Sequence, residues 1–235
     1  MSLLNTVQRF CKRTGLDVPT SVISATDPQV KQILALLEEE GNDLSGRGDW
    51  QELTNEATHT TVATESQGAI TTIASNGYRY IKNNTIWDRT NQLPLYVTDG
   101  TGWQELKSTT TTAPDYHVRI RGGNLLSNPV PTAGLTWAFE YVTWNWITDA
   151  TSTTPSQYFT DDTDLILLPE PIVMMGVRWR WKKEKGLEYA EDFRTYEMMV
   201  SDALSRNGLN RPLSASKRID SPSPHVVVPI GSFNL

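Results

Sequence analysis

The sequence predicts an α+β protein, a helical bundle formed by N- and C-terminal helices with an inserted antiparallel β domain and an extended C-terminal tail. Apolar residues recur at three- and four-residue steps near both ends, and the middle is rich in Thr, Trp and Tyr divided by turn pairs. Pro recurs after Arg211, which predicts an extended segment without a core of its own. The predicted units are a helical domain of residues 1–57 plus 161–210, a β domain of 58–160 and a tail of 211–235.

The N-terminal zone contains two predicted helices. The first has an apolar face and a plausible stop at Gly15. The second begins at Asp27-Pro28, because Asp27 can accept hydrogen bonds from the first turn and Pro28 lacks only an N–H that would be unpaired there. Trp50 and Leu53 are expected to attach the following segment to the core. The apolar positions of the two helices are Leu3, Leu4, Val7, Phe10 and Cys11, then Val30, Ile33, Leu34 and Leu37.

Turn pairs divide the middle zone into predicted hairpins. Asn76-Gly77 separates residues 70–73 from 78–81 and predicts a two-residue hairpin between two strands. Asp99-Gly100 is interpreted as another turn, and Gly122-Gly123 as the turn of a third hairpin. Several hairpins in succession are typical of a small β domain.

A long strand is predicted over residues 135–147. Trp137, Phe139 and Tyr141 alternate there with Thr136, Ala138 and Glu140. Since successive side chains of a strand point to opposite faces, one face of this strand should be buried.

The C-terminal zone reads as two helices joined at Gly186, over residues 172–185 and 187–204. Trp179, Trp181 and Tyr189 crowd this helical hairpin, and Asn207-Gly208 should end the second helix. The two helices carry large apolar residues but no side chains arranged for catalysis. The hairpin therefore favours an assembly role over an enzymatic one.

Composition limits the classes of function. Hydrophobic content of 38% and charged content of 20% predict a globular protein. Because the net charge is −6, nucleic acid is not expected to bind tightly. A single cysteine, Cys11, excludes an intrachain disulfide. We expect no signal peptide and no membrane span, since Pro169, Glu170 and Pro171 interrupt the longest apolar region.

Few residues offer chemistry. Asp161, Asp162 and Asp164 could bind a hard cation, but the run lacks the Gly and distal Glu of a helix-loop-helix calcium site, so a hydrogen-bonded turn is the alternative. The three histidines, His59, His117 and His225, are far apart in sequence, and Cys11 lies on an apolar helix face. Asp115 and Glu140 have no partner of catalytic type. We therefore predict no enzyme, no cofactor and no resident metal.

Several short segments carry a resemblance to a known family. They are Val118-Arg119-Ile120-Arg121-Gly122-Gly123-Asn124-Leu125-Leu126, Phe139-Glu140-Tyr141-Val142, Leu168-Pro169-Glu170, Trp179-Arg180-Trp181-Lys182, Lys185-Gly186-Leu187-Glu188-Tyr189-Ala190-Glu191-Asp192 and Thr26-Asp27-Pro28-Gln29-Val30. Over roughly residues 2–208 the chain resembles the head-to-tail connector (adaptor) proteins of short-tailed bacteriophages, the tail tubular protein A-like family. These motifs are packing and turn patterns.

The resemblance implies a structural virion protein without catalytic residues. Such proteins form a homo-oligomeric ring, commonly of twelve subunits, between the portal protein and the tail nozzle or tail tube protein. Genomic DNA would pass through the channel without specific binding. The implied location is the head-tail junction of the virion, reached through the host cytoplasm during assembly.

A ring subunit needs contact surfaces beyond its own core. Trp179, Trp181 and Tyr189 are the predicted interface residues on the helical hairpin, with packing inside the subunit's own core as the alternative. In the tail, the proline-rich and β-prone run is predicted to be laid on a partner. Its candidate residues are Pro222, Pro224, Val226, Val227 and Val228.

Two further alternatives stay open. Trp137, Trp144 and Trp146 could stack on sugar rings if exposed, which would favour a carbohydrate-binding β module of a phage tail appendage. The basic residues of the first C-terminal helix could contact an acidic partner or DNA, or they could pair with acidic residues nearby. These basic residues are Arg178, Arg180, Lys182, Lys183 and Lys185.

Overall fold

The computed structural model describes residues 1–109, 115–149 and 155–207. Within these ranges the protein is a mixed α+β fold with six α-helices and largely antiparallel sheets, so the predicted α+β class is confirmed. The predicted tail of 211–235 lies outside the described residues. The helices are α1 Leu3–Thr14, α2 Pro28–Gly46, α3 Ile70–Ile73, α4 Gly100–Ser108, α5 Glu170–Glu184 and α6 Ala190–Asn207, and Gln51–Leu53 form a 3-10 turn.

Twelve short strands lie between and beside these helices in the described part of the chain. They are β1 Thr54–Thr60, β2 Ser66–Ala69, β3 Tyr78–Ile81, β4 Trp87–Asp88, β5 Leu93–Pro94, β6 Tyr96–Val97, β7 His117–Arg121, β8 Asn124–Asn128, β9 Thr136–Thr143, β10 Ile147–Thr148, β11 Pro155–Ser156 and β12 Leu165–Ile166. The largest sheet has the order β1-β9-β4-β5, and β3 also pairs with β9. A second sheet has the order β2-β8-β7-β6, with β6 parallel to β7, and a third has the order β11-β10-β12.

Local signals at helix ends and one hairpin are confirmed. Helix α1 ends at Gly15, which has a left-handed backbone with φ of 71°. Asp27 caps α2, because its carboxylate accepts the Gln29 N–H at 2.8 Å. The turn at Gly122-Gly123 joins β7 to β8 in an antiparallel pair as predicted.

Two predictions in the middle zone are wrong. Residues 70–73 form a helical turn instead of a strand, and β3 pairs with β9 instead of forming a hairpin across Asn76-Gly77. Ile70 and Ile73 are three residues apart, a helical spacing, and the Ala74 N–H donates to the Ile70 carbonyl at 2.7 Å. Asp99 does not form a strand turn, because its carboxylate accepts the Gly102 N–H at 2.8 Å and caps α4.

The long strand is shorter than predicted but has the expected buried face. Trp137, Phe139 and Tyr141 on β9 are all buried. Ala138 and Val142 on the other face are also buried, whereas Glu140 is exposed. Val142 packs into one hydrophobic cluster and Trp137, Phe139 and Tyr141 into another, so parts of both faces of β9 are covered.

Two hydrophobic cores are present in the described residues. One contains side chains from α1, α2, α5 and α6, and α5 packs against both α2 and α6. Trp146, from the segment after β9, joins this core and donates its Nε1–H to Asn42 Oδ1 of α2 at 2.9 Å. The second core lies among side chains of the two larger sheets and α3, including Ile70, Val118 and Trp137.

Backbone hydrogen bonds join the start of the chain to the segment before α5. The Leu3 N–H donates to the Asp164 carbonyl at 2.9 Å, and the Ile166 N–H donates to the Met1 carbonyl at 2.9 Å. The Asp162 carboxylate accepts the N–H groups of Val22 and Ile23, each at 2.9 Å. Segments more than 130 residues apart in sequence are therefore held side by side.

Candidate interaction surface

The turn between α5 and α6 is set by Gly186. This residue has φ of 66°, and its N–H donates to the Lys183 carbonyl at 3.1 Å while the Leu187 N–H donates to the Lys182 carbonyl at 2.9 Å. These two bonds form a Schellman motif, which ends α5 and reverses the chain. Because Leu187 is used in this motif, α6 starts at Ala190 instead of at the predicted residue 187.

Trp179 is buried between the two helices, with 7% of its surface exposed. Its ring lies edge-to-face with Phe193, at 5.0 Å between centroids, and contacts the rings of Tyr189 at 6.3 Å and Tyr196 at 6.1 Å. The Arg180 guanidinium lies 4.6 Å from the Trp179 ring centroid. Trp179 therefore packs α5 against α6 within one chain. This is the alternative to an interface role, packing inside the subunit's own core.

Beside the turn, a groove of about 390 Å³ lies between α1 and α5. Its apolar walls include Phe10, Met174, Trp181 and Leu187, and Phe10 and Trp181 meet edge-to-face at 5.9 Å. Basic side chains line it as well: Arg13, Arg178 and Lys182. The predicted site residue Trp181 thus lies half-buried on a concave surface that solvent reaches.

Exposed apolar side chains lie at the turn and at the start of α6, and one of them, Leu187, also lines the groove. Leu187 is 48% exposed, and Tyr189 and Phe193 are each 38% exposed. We call Trp181, Leu187, Tyr189 and Phe193 the hairpin patch. Of the three predicted hairpin residues, Trp181 and Tyr189 belong to this patch, whereas Trp179 lies beneath it. Sequence reasoning missed Leu187 and Phe193, although both lie on the apolar stripe of α6 or at its start.

The basic side chains around the groove are partly paired. The Asp192 carboxylate lies 3.2 Å from Arg178 Nε and 2.6 Å from Lys182 Nζ. Among the described residues, Arg13, Lys183 and Lys185 make no salt bridge. The predicted pairing within the helical hairpin is therefore confirmed for Arg178 and Lys182.

Arg180 instead pairs with α2. Its guanidinium is the centre of a network with three carboxylates: Glu39 at 2.6 Å, Glu40 at 2.8 Å and Asp43 at 2.9 Å. Glu40 is fully buried, and its carboxylate lies where a side chain at Gly176 would be, since a Cβ there would come within 2.0 Å of Glu40 Cδ. Burial raises the pKa of Glu40 to about 7, although the hydrogen bond from Arg180 opposes this shift.

The acidic turn before β12 is hydrogen-bonded internally. Asp164 Oδ2 accepts the N–H groups of Thr160 at 2.7 Å and Asp161 at 2.9 Å, and Asp161 Oδ1 accepts the Thr163 N–H at 2.9 Å. Within the described residues, no cluster of three or more His, Cys, Asp and Glu side chains is suited to a metal ion. These contacts match the hydrogen-bonded turn that was the alternative to a cation site.

The remaining sequence candidates are dispersed. Cys11 is buried in the helical core, and burial raises the pKa of its thiol. His59 lies on β1 and His117 on β7, in different sheets. The remaining candidate residues, Pro222, Pro224, His225, Val226, Val227 and Val228, lie outside the described ranges.

The three tryptophans considered for sugar binding have different environments. Trp137 and Trp146 are completely buried, so neither can stack on a ligand in this fold. Trp144 is 40% exposed, and the Arg79 guanidinium lies 4.2 Å from its ring centroid. The sugar-binding alternative therefore keeps only Trp144 of its three tryptophans, because Trp146 packs in the core shared by the helices and Trp137 in the core between the larger sheets.

No protein-family model matches this chain, and a search of curated proteins finds no match. Within residues 1–109, 115–149 and 155–207, no helix has both the length and the apolar character needed to cross a membrane. The hairpin patch and its groove are therefore the features from which a function has to be inferred.

Proposed function

We propose that this protein is a structural virion protein, a ring-forming head-to-tail adaptor that joins the portal to the tail and lines the DNA channel. Its partners are further copies of the same chain, commonly twelve in the family pattern, the portal protein and the tail nozzle or tail tube protein. The proposal rests on the resemblance of residues 2–208 to tail tubular protein A-like connectors and on the hairpin patch.

The hairpin patch is the observation that carries the proposal. Three large apolar side chains, Leu187, Tyr189 and Phe193, are more than one third exposed on a hairpin whose backbone is fixed by Gly186 and whose base is packed around Trp179. Exposed apolar side chains grouped beside a groove are typical of protein-protein contacts. A rigid hairpin can offer them without a large loss of conformational entropy on binding.

In the proposed architecture, helices α1, α2, α5 and α6 form one discontinuous bundle, and the β region of about residues 58–160 projects from it. Support comes from the shared core of these four helices and from the separate core between the larger sheets. The division is not complete, since Trp146 and Phe159 of the inserted region pack into the helical core. Subunits would contact each other through two different side surfaces, as in any ring built from one kind of subunit.

The channel role comes from the family resemblance, and the charge of the chain is compatible with it. A net charge of −6 opposes adhesion of the phosphate backbone, so DNA would pass without specific binding. No catalytic step, cofactor or metal is part of this proposal.

The ring contact is tested by placing charge in the hairpin patch. We expect L187D/F193D to weaken ring formation at least about tenfold, because burial of each apolar side chain at an interface contributes roughly 1.5–3 kcal/mol. The readout is electron microscopy and sedimentation of the purified protein mixed with its cognate portal. Met198→Asp is the matched control, since Met198 lies on the same helix and is 63% exposed but outside the patch. Rings that form equally well with L187D/F193D would reject the patch as the contact.

A second prediction concerns the tail. We propose that residues 211–235 attach to the portal or to a neighbouring subunit through Pro222, Pro224 and residues 226–228, because a proline-rich, β-prone segment can order on a partner. Deleting the residues after Arg211 should weaken portal attachment while the midpoint of thermal unfolding stays within about 2 °C. Unchanged attachment after the deletion would reject this role.

The competing function is a carbohydrate-binding β module of a tail appendage. Its remaining structural support is the exposed Trp144 on the segment after β9. It requires a change of tryptophan fluorescence when glycans are added, which the adaptor function does not. A glycan response that disappears in Trp144→Ala would favour this module.

A further inference from the structure

The outer face of the five-stranded sheet contains an acidic cleft of about 520 Å³. Glu56 on β1 and Glu140 on β9 line it and are direct partners in the strand register. Trp87 forms part of the wall and is the register partner of Ala138, two residues from Glu140, so its side chain lies on the same face of the sheet. Two carboxylates and an aromatic ring thus share one concave surface.

The charges of this cleft are not balanced. Like charges directly opposite each other on neighbouring strands are destabilising. Arg89 pairs with Glu56, but Glu140 makes no salt bridge within the described residues. Asp88, also in the cleft, is already occupied as an acceptor by the N–H groups of Thr90 at 2.9 Å and Asn91 at 3.1 Å. The cleft therefore has room for a further cationic group next to Glu140.

The end of α6 lies beside the 3-10 turn that leads into β1. Asn207, the last described residue, accepts the Gln51 N–H on its Oδ1 at 3.0 Å and donates from Nδ2 to Glu52 at 2.9 Å. Gln51 and Glu52 belong to the 3-10 turn Gln51–Leu53 that immediately precedes β1, and Glu56 is four residues beyond Glu52, at most about 14 Å along the chain. Asn207, from which this segment continues, therefore lies beside the turn that leads into the strand carrying Glu56.

That segment is basic, in contrast to the rest of the chain. Of the 21 basic and 27 acidic side chains, three basic and one acidic lie in residues 208–235, so residues 1–207 carry 18 and 26. The three basic residues, Arg211, Lys217 and Arg218, all lie within residues 211–218, where no acidic residue occurs. Arg218 is eleven residues beyond Asn207, a reach of roughly 36 Å when extended.

We propose that residues 211–218 dock on the acidic cleft of the same chain. Lys217 or Arg218 supplies the cation that Glu140 lacks, and the face of Trp87 offers a cation–π contact to the same group. The short tether from Asn207 gives this segment a high effective concentration at the cleft, which favours it over a basic segment of another molecule. The docking does not depend on the proposed ring. It gives the basic segment a binding site within the free subunit.

A nitroxide probe tests the docking in the full-length chain. Ser216→Cys provides the labelling site, since the native Cys11 is only 1% exposed. In low salt, we expect the nitroxide to broaden the NMR signals of backbone amides of β1 and β9 around Glu56 and Glu140. In E56Q/E140Q the ratio of docked to free segment should fall about tenfold, since the ion pair with Glu140 and the negative charge of Glu56 beside it are lost together. About 1 M salt should have the same effect, because the Debye length falls to about 3 Å.

The matched control is E105Q/E191Q, which removes the same number of charges from exposed positions on α4 and α6. This control should retain the broadening. A mixed sample tests for contact between molecules: one chain carries the spin label but no isotope, and the other carries the isotope but no spin label. The signals of the isotope-labelled chain should show no broadening at the cleft. The proposal is overturned by absence of broadening in the first sample, by full persistence in E56Q/E140Q, or by broadening that occurs between molecules.

Discussion

Replacing Arg180 by Ala is expected to lower the free energy of unfolding by about 3–5 kcal/mol, the range measured when one partner of a buried ion pair is removed. Arg180 is 9% exposed and binds Glu39, Glu40 and Asp43 of α2. Without the guanidinium, Glu40 would remain in the core with no cationic partner. The measurement is chemical unfolding at pH 8, followed by tryptophan fluorescence.

The loss in Arg180→Ala should depend on pH. Burial already raises the pKa of Glu40 from 4.5 to about 7, so the contribution of this carboxyl to stability is full below pH 4.5 and declines as the pH rises through 7. Removing Arg180 removes the group that favours the charged carboxylate, and the pKa of Glu40 should rise further. The difference in stability between the native protein and Arg180→Ala should therefore be larger at pH 8 than at pH 5.

Two further variants isolate this cause. R180A/E40Q should recover part of the lost stability at pH 8, because a neutral amide is less costly to bury than an unpaired carboxylate. Arg178→Ala is the matched control on the same helix: its partner Asp192 keeps Lys182 at 2.6 Å, so the loss should stay within about 1 kcal/mol. Equal losses in Arg178→Ala and Arg180→Ala, or a loss that does not vary with pH, would contradict this account of the network.

The second large effect is expected at Trp179. Trp179→Ala should cost about 3–5 kcal/mol of unfolding free energy, because a large side chain is removed from a well-packed site. The ring contacts Tyr189, Phe193 and Tyr196, so its loss leaves a cavity between α5 and α6. Thermal and chemical unfolding of the purified subunit measure this cost without any partner.

Ring formation should also decrease in Trp179→Ala, but as a consequence of the weakened hairpin. Trp179 is only 7% exposed, whereas Leu187 is 48% exposed, so L187D/F193D should reduce assembly with a smaller change in stability. Trp144→Ala is the control for loss of a tryptophan at an exposed position, and it should cost less than about 1 kcal/mol. If Trp179→Ala were indistinguishable from the native protein in both stability and assembly, Trp179 would have neither role.

Features set by neighbouring residues could be predicted from the sequence. Gly15 stops α1, Asp27 caps α2 and Gly186 ends α5, as expected, because a left-handed glycine or a capping carboxylate acts on backbone groups only a few residues away. Local patterns gave the wrong prediction at residues 70–73, which were expected to form a strand, and at Asp99, which was expected to form a turn between strands. There, short β-prone or turn-forming segments are helical, since such segments have weak preferences that surrounding contacts can override.

For this protein, the sequence by itself determined the α+β class, the capped helices near both ends and the Gly186 turn. Only the tertiary structure decided that Trp179 is buried while Leu187 and Phe193 are exposed, and that Arg180 pairs with α2 instead of with its own hairpin. The physical reason is distance along the chain. Glu40 and Arg180 are 140 residues apart, and burial or ion pairing between such residues depends on how whole helices pack, which no local pattern specifies.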